Sequence, residues 1–417
     1  MARLFFVNDT SSGLNWGSQA TSAALREMIY DSNHTIGDER YKVQLRQSEP
    51  NPYLNMLDYG PAVIKNVSDS LRKLNPAKLY WSLRDVDDVI PDKYSQFEAY
   101  AESAINNGVY QSEIEAIRSS DAVVINAEGL LYQSSDRCTR SLFFIAYLAT
   151  EYLDTNCVLT NVTFDPEDGD VLEMAENIFP KADQVVFREP VSAKRYGDLC
   201  SSYESAADPV FYYSYDPDRD DLVDSLERGK IDLRPYSSTT FDPTEPYITV
   251  AGNSIYSDRS QYPIEGYKHL CKELKDVCNQ ILLVVSASSD EQLLAPVAQS
   301  LDLDIVGLNI SIKDSLNLLS HASAYVGGRY HPTIFSLKGS VPVVPLSPNT
   351  CKIKGLLELF DLQKKIFDPF DVLGEAGMIS DLVASYMNSD SEFKYTDKKH
   401  DELSGYAYQN IQCVSEL

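Results

Sequence analysis

Ala322-Ser-Ala-Tyr-Val-Gly-Gly-Arg-Tyr-His-Pro-Thr-Ile-Phe-Ser-Leu-Lys-Gly339, continued by Ser340-Val-Pro-Val-Val-Pro-Leu346, changes its period along its length. Ala324 to Val326 is a short apolar strand, Gly327-Gly328 a turn, a helix begins near Pro332, and Val341 to Leu346 is a second strand. Strand, helix and strand in that order make a βαβ unit, which implies a parallel sheet with helices on its faces. Pro332 suits a first helical position, where its missing N–H costs nothing and its fixed φ is already helical. Arg329, Tyr330 and His331 then fall where the carboxyl end of a strand meets a helix N-terminus. Open α/β sheets bind ligands at that end, and the free N–H groups favour an anion. A guanidinium able to grip a carboxylate or phosphate with two hydrogen bonds and a titratable imidazole stand two residues apart there. A structural reading is also open, in which Arg329 pairs with a neighbouring carboxylate and His331 caps the helix.

The same rhythm extends in both directions. Before the central unit come strands at Tyr247 to Ala251, Ile281 to Ser286 and Ile305 to Leu308, with helices over 262–279, 290–300 and 313–320. The first half has strands at Leu4 to Val7, Ala122 to Asn126, Cys157 to Asn161 and Gln184 to Phe187. Its helices are expected from Ser18 or Thr21 to about Tyr30, over 62–74, 93–107 and 110–118, from Arg140 to Leu153, and from near Pro190. The expected fold class is therefore α/β, with two Rossmann-like doubly wound domains facing a cleft, over residues 1–212 and 247–375. Between them, Tyr212 to Pro246 carries nine acidic against four basic residues and little apolar periodicity. It reads as an acidic linker or insertion over 213–246. Helices over 353–361 and 376–388 follow, and residues 376–417 are expected to be a C-terminal helix and a polar tail.

A chain of 417 residues exceeds what one core usually fills, in keeping with two domains. Its net charge of −26 disfavours nucleic-acid backbones and anionic membranes as partners. An anionic ligand would then need a local basic pocket. No apolar run is long enough to span a membrane, and Leu4-Phe-Phe-Val7 follows the start without a basic region and cleavage site, which argues against a signal peptide. Seven scattered cysteines without a Cys-x-x-Cys pair point to free thiols in a reducing, cytoplasmic setting and away from a zinc site. No Asp-x-Asp stands at a strand end to hold a metal, so none is expected.

Other strand ends carry further candidates. Asn15 lies in the polar loop after the first strand, where it can contact a substrate or close a local Asx-turn. Glu128 follows the strand ending at Asn126, where a carboxylate can act as a base or cap the next helix. Arg188 repeats the placement of Arg329, with a salt bridge to Glu189 or Asp183 as the competing role.

Taken together, Gly327-Gly-Arg-Tyr-His-Pro-Thr-Ile-Phe-Ser-Leu337, Val341-Pro-Val-Val344 and Lys352-x-x-Gly355-Leu-Leu resemble the C-terminal signature of the polysaccharide pyruvyl transferase family. Asn15-Trp-Gly17, Asp121-Ala-Val-Val-Ile-Asn-Ala-Glu-Gly129, Phe187-Arg-Glu-Pro-Val-Ser192 and Ala206-Ala-Asp-Pro-Val-Phe211 follow the family's order. The resemblance spans about residues 3 to 360. It implies a GT-B-like fold, with residues 1–212 as the acceptor side and 247–375 as the donor side, whose last helix crosses back onto the first domain; it also implies phosphoenolpyruvate as donor and no separate cofactor. The product it implies is a pyruvate ketal on a sugar or glycan. On that reading Arg329 and Lys352 bind the donor's phosphate or carboxylate, and Arg188 reaches across from the opposing domain. His331 is the general acid and Glu128 the base, while Asn15, Asn126 and Ser192 are further substrate-binding candidates. Ala127 stands where relatives usually have Gly, which would narrow a backbone approach beside Glu128. Two other readings remain open: a nucleotide-sugar glycosyltransferase of the same architecture, and a non-catalytic carbohydrate-binding relative.

Overall fold

The computed structural model describes residues 1–13, 15–40, 90–107, 110–214, 216–236, 241–256, 262–388 and 394–416. The helix expected over 62–74 lies outside the described residues. In the first half the order is β1 (Arg3–Val7), α1 (Trp16–Asp31), β2 (Thr35–Arg40), α2 (Phe97–Asn107), α3 (Gln111–Arg118), β3 (Ala122–Asn126) and α4 (Arg137–Tyr147). It continues through β4 (Asn156–Val162), α5 (Gly169–Ile178), β5 (Gln184–Phe187), α6 (Pro190–Tyr196) and β6 (Tyr203–Ser205). The strands β1 and β3 to β5 are runs of Val, Ile, Leu and Phe with both faces buried, as a parallel sheet between helix layers requires. They form a parallel sheet in the order β2-β1-β3-β4-β5-β6.

The second half runs α7 (Arg219–Glu227), β7 (Leu233–Arg234), β8 (Tyr247–Asn253), α8 (Ile264–Lys275), β9 (Gln280–Val284), α9 (Asp290–Leu301), β10 (Asp304–Val306) and α10 (Ile312–Ser320). Then come β11 (Ala324–Gly328), α11 (Tyr330–Lys338), β12 (Val343–Pro345), α12 (Lys352–Leu359), α13 (Val372–Met387) and α14 (Asp397–Gln412). Its sheet order is β12-β11-β8-β9-β10-β7, with only β7 antiparallel. The acidic stretch read as a linker or insertion thus supplies a helix and an edge strand to the second sheet. The helix of the central unit starts at Tyr330, two residues earlier than expected, with Arg329 as its N-cap. Pro332 still sits in the first turn, where N–H groups have no intrahelical partner.

In each sheet the strand order reverses beside the first strand, between β1 and β3 and between β8 and β11. That leaves a crevice at the carboxyl ends. The two crevices face each other. Trp16, at the start of α1, is buried in the core of the second half with Ala20, and its indole Nε1 donates to the Leu308 carbonyl (3.3 Å). On the other side α12 packs against α6, where a Cβ on Gly355 would fall 2.1 Å from Glu189 Oε2. Gly355 of the Lys-x-x-Gly motif therefore lets the two halves close.

The polar tail is not a coil: α14 crosses back onto the first half. Leu403, Ala407 and Ile411, spaced by four, make its buried stripe. Asn410 locks it in place, its Nδ2 donating to the Ala207 carbonyl (2.8 Å) and its Oδ1 accepting from the Asn161 N–H (2.9 Å). The helix expected over 376–388 corresponds to α13, which stays with the second half and packs on α8. Among the described residues no helix is long and apolar enough to cross a membrane.

Candidate active site

The loops that follow β1, β3 and β5 meet those that follow β8, β9 and β11 around a cavity of about 180 Å³. Asn15, Ser18, Glu128 and Arg188 line it from the first half, and Arg329, His331 and Lys352 from the second.

Arg329 does not cap α11 with its side chain. Its guanidinium turns to Asp290, the first residue of α9: Nε donates to Oδ1 (2.9 Å), Nη2 to Oδ1 (2.7 Å), and Nη2 also to Ser289 Oγ (2.6 Å). Asp290 is itself held by the N–H groups of Ser286 and Ala287 (both 3.1 Å). Gly252 at the end of β8 makes room for it, since a Cβ there would lie 2.0 Å from Asp290 Oδ1. The carboxylate pairing read from the sequence as the structural alternative is therefore present. It fixes one edge of the guanidinium, and Nη1 takes no hydrogen bond among the described residues.

Arg188 is anchored from the opposite half by two different residues. Its Nε donates to Thr163 Oγ1 (2.7 Å) and its Nη1 to Asp208 Oδ2 (3.1 Å). Neither Glu189 nor Asp183 is its partner: Glu189 caps α6 through the Val191 and Ser192 N–H groups, and Asp183 binds the Cys157 N–H. The Arg188 guanidinium carbon lies 4.4 Å from the centre of the Tyr330 ring, a cation–π contact between the halves.

Asp208 also serves His331. His331 Nε2 is 3.4 Å from Asp208 Oδ2 and 2.9 Å from Thr21 Oγ1, and the Thr21 hydroxyl donates to Asp208 Oδ1 (3.2 Å). Burial alone would raise the Asp208 carboxyl, but the adjacent His331 and then Arg188 hold it down at about 2. His331 is thus oriented by a fixed anion. Its other ring nitrogen lies against the start of α1, where a Cβ on Gly17 would fall 1.8 Å from Nδ1.

Lys352 opens α12 and donates from Nζ to Asn349 Oδ1 (2.8 Å). Burial, and then repulsion from Arg188 and Arg329, bring its ammonium down to about 7. Glu128 sits at φ +49, a left-handed conformation that is uncommon for a residue with a Cβ and recurs at functional sites. Its Oε1 accepts from Thr10 Oγ1 (2.9 Å) and its Oε2 from Ser18 Oγ (2.8 Å), both from the loop and helix after β1. Ala127 does not narrow this corner, because its side chain belongs to the core beneath the sheet. Asn15 caps α1, its Oδ1 accepting from the Gly17 (3.0 Å) and Ser18 (3.1 Å) N–H groups, and it lines the cavity as well.

Two expected contacts do not reach the cavity. Asn126 is fully buried behind Glu128, donating to Ser22 Oγ (3.2 Å) and accepting from Asn161 Nδ2 (2.9 Å). Ser192 is also fully buried, its hydroxyl bonded to the Phe164 backbone (2.9 and 3.0 Å). Both support the walls and do not form them. Conversely, Asp208 and Asp290 hold Arg188, His331 and Arg329, and the sequence reading gave neither of them a role. Asp208 lies in a quoted motif, where Asp-Pro at the start of a helical turn is a visible cap signal.

The fold is similar to UDP-GlcNAc 2-epimerase from Methanocaldococcus jannaschii, with TM-score 0.52, 8% identity, and coverage of 100% of this chain and 99% of that one. S. aureus MnaA in its UDP co-structure gives TM-score 0.52, 13% identity and coverage of 99% and 95%. Phytolacca americana UGT2, complexed with UDP-2fluoro-glucose and pterostilbene, gives TM-score 0.50, 13% identity and coverage of 99% and 98%. These likenesses establish the GT-B architecture and nothing finer. Comparison with curated proteins gives no match. The family model described as polysaccharide pyruvyl transferase matches residues 19–350, from α1 to the loop before α12, and the chain belongs to that family.

Proposed function

We propose that this protein transfers the pyruvyl group of phosphoenolpyruvate to two hydroxyls of one sugar in a glycan or glycan precursor, forming a ketal. The observation that carries the reading is the small cavity between the halves, to which each half contributes an arginine held by a buried carboxylate and the second half adds Lys352. At about 180 Å³ it is below the ~300–1,000 Å³ usual for drug-sized ligands, and it suits a compact polyanion better than a nucleotide sugar. Arg329 Nη1 and Lys352 Nζ are available to the phosphate or carboxylate, with Arg188 facing them. Because Asp290 and Asp208 pre-set both guanidinium planes, little side-chain entropy is lost on binding.

In this reading His331 delivers a proton to the enol methylene, which becomes a methyl group, and the adjacent carbon becomes an oxocarbenium-like electrophile. Asp208 stabilises the imidazolium before transfer. The first sugar hydroxyl bonds to that carbon, and its proton returns to His331, directly or by way of Glu128. The carbon–oxygen bond to phosphate then breaks, and the second hydroxyl closes the ketal, its proton leaving with the phosphate. Of the two hydroxyl protons, one is thus retained in the methyl group and one leaves with phosphate, so no redox partner or metal enters the balance. Positioned proton transfer of this kind typically contributes about 10²–10⁴-fold. A cytoplasmic location, where phosphoenolpyruvate is at hand, fits the absence of disulfides among the seven cysteines.

The reading is tested by incubating the protein with phosphoenolpyruvate and a panel of hexopyranosides. Sugar-dependent phosphate release, with the sugar recovered as its pyruvate ketal, supports it. Transfer from a UDP-sugar with phosphoenolpyruvate untouched would assign the protein to the glycosyltransferase alternative.

A further inference from the structure

A second and larger cavity, of about 580 Å³, opens on the β12 flank of the same cleft. It is built from the loop between β12 and α12 and the segment before α13, with Asp165 and Arg195 contributed by the first half. Asn349 is the partition between the two cavities. Its Oδ1 accepts from Lys352 Nζ (2.8 Å) and Ser254 Oγ (2.9 Å), and both of those residues line the smaller cavity.

The lining has a distinct chemistry. Ile255, Ile366, Phe367 and Phe370 give an apolar floor, in which the residue Phe370 is 51% exposed. Beside that ring stands Asp368, whose Oδ1 accepts from the Phe370 N–H (2.8 Å), so ring and carboxylate are held together. Asp165 is fixed by Arg195 Nη1 (3.1 Å).

We propose that this second cavity is the acceptor subsite and takes a hexopyranose unit. The C–H face of the sugar lies on Phe370, and its hydroxyls meet the Asp368 and Asp165 carboxylates. The volume falls within the ~300–1,000 Å³ range of sites that bury such a ligand. A nucleoside diphosphate fits the lining less well: two carboxylates face the cavity, and Lys354 is the one lining cation outside an ion pair among the described residues. The subsite rests on the pyruvyl-transfer reading for its purpose, and its sugar binding is measured apart from it.

The test uses Phe370→Ala and Asp368→Asn, the first at a half-exposed residue and the second an isosteric loss of one carboxylate charge. Binding of methyl and p-nitrophenyl hexopyranosides to the full chain is read by saturation-transfer NMR without phosphoenolpyruvate, and the acceptor KM is read by phosphate release. The expected result is a sugar Kd or KM raised at least about tenfold in both variants, with the phosphoenolpyruvate KM within twofold of wild type. Wild-type transfer with an unchanged sugar KM in both variants overturns the subsite and leaves the reaction standing. Sugar binding that the variants lose, in a protein that releases no phosphate, supports the subsite and removes the pyruvyl reading. Failure of the wild type to bind any sugar in the panel, or displacement of bound sugar by UDP, overturns the subsite.

Discussion

Replacing Lys352 by Met separates stability from function by sign. The side chain is 8% exposed, and burial followed by two facing arginines lowers its ammonium from 10.5 to about 7. At ~1.36 kcal/mol per pKa unit, a charged Lys352 destabilises the fold by up to about 5 kcal/mol. The unfolded chain binds this proton more tightly, so the destabilisation is complete below pH 7, declines as pH rises, and is gone above pH 10.5. Met keeps the aliphatic stem and removes the charge. Lys352→Met should therefore melt higher than wild type at pH 6 to 7, with the gap closing toward pH 10. Its catalytic efficiency toward phosphoenolpyruvate should fall about ten- to a hundredfold, the effect of losing one charge-assisted hydrogen bond of ~1.5–3 kcal/mol. In wild type, donor affinity should decline as pH rises above about 7, because only the protonated lysine attracts the anion, and the variant should lose that dependence. Thermal melts across pH and initial rates of phosphate release measure both. A variant that melts lower and turns over normally would refute the reasoning, since Lys352 would then be a structural cation.

Gly17→Ala should disturb chemistry through His331, because its Cβ would lie 1.8 Å from Nδ1; a displacement of about 1 Å can reduce turnover about 100-fold, and normal kinetics would show that the ring position is not critical. Asp208→Asn should lower the melting temperature at pH 7, since removing one partner of a buried ion pair costs about 3–5 kcal/mol. Asp208 is held at about 2, below its ordinary 3.8, so its contribution is present above pH 3.8 and lost as pH falls toward 2; the variant's deficit should narrow over that window in acid melts. His331→Ala should lower turnover by about 10²–10⁴-fold with donor affinity within a few-fold; near-normal turnover would remove it from the proton-transfer role.

The alternation of apolar strands with amphipathic helices made both parallel sheets legible, because strands buried on both faces leave continuous apolar runs that chance seldom gives in series. Strand ends also marked the cavity, and six of the eight candidate residues line it. Asn126 and Ser192 misled because the direction of a side chain at an element's end is set by its neighbours: Asn161 and Ser22 turn one inward, and the Phe164 backbone turns the other. The anchoring carboxylates were hidden for a related reason. Asp208 meets a histidine more than a hundred residues away, and such pairings leave no local period. The helix α14 did leave a trace, the stripe Leu403, Ala407 and Ile411, but its polar surroundings outweighed it.

The central claim, that one donor anion is held between the two halves, is tested most directly by calorimetric titration of phosphoenolpyruvate without acceptor. Wild type is compared with Arg188→Lys and Arg329→Lys, each referred to its folded fraction. Lysine keeps the charge and loses the planar, pre-set fork. The account predicts that each variant, from its own half, weakens binding about tenfold or more. Unchanged affinity in either one would contradict it, because the donor would then not bridge the cleft.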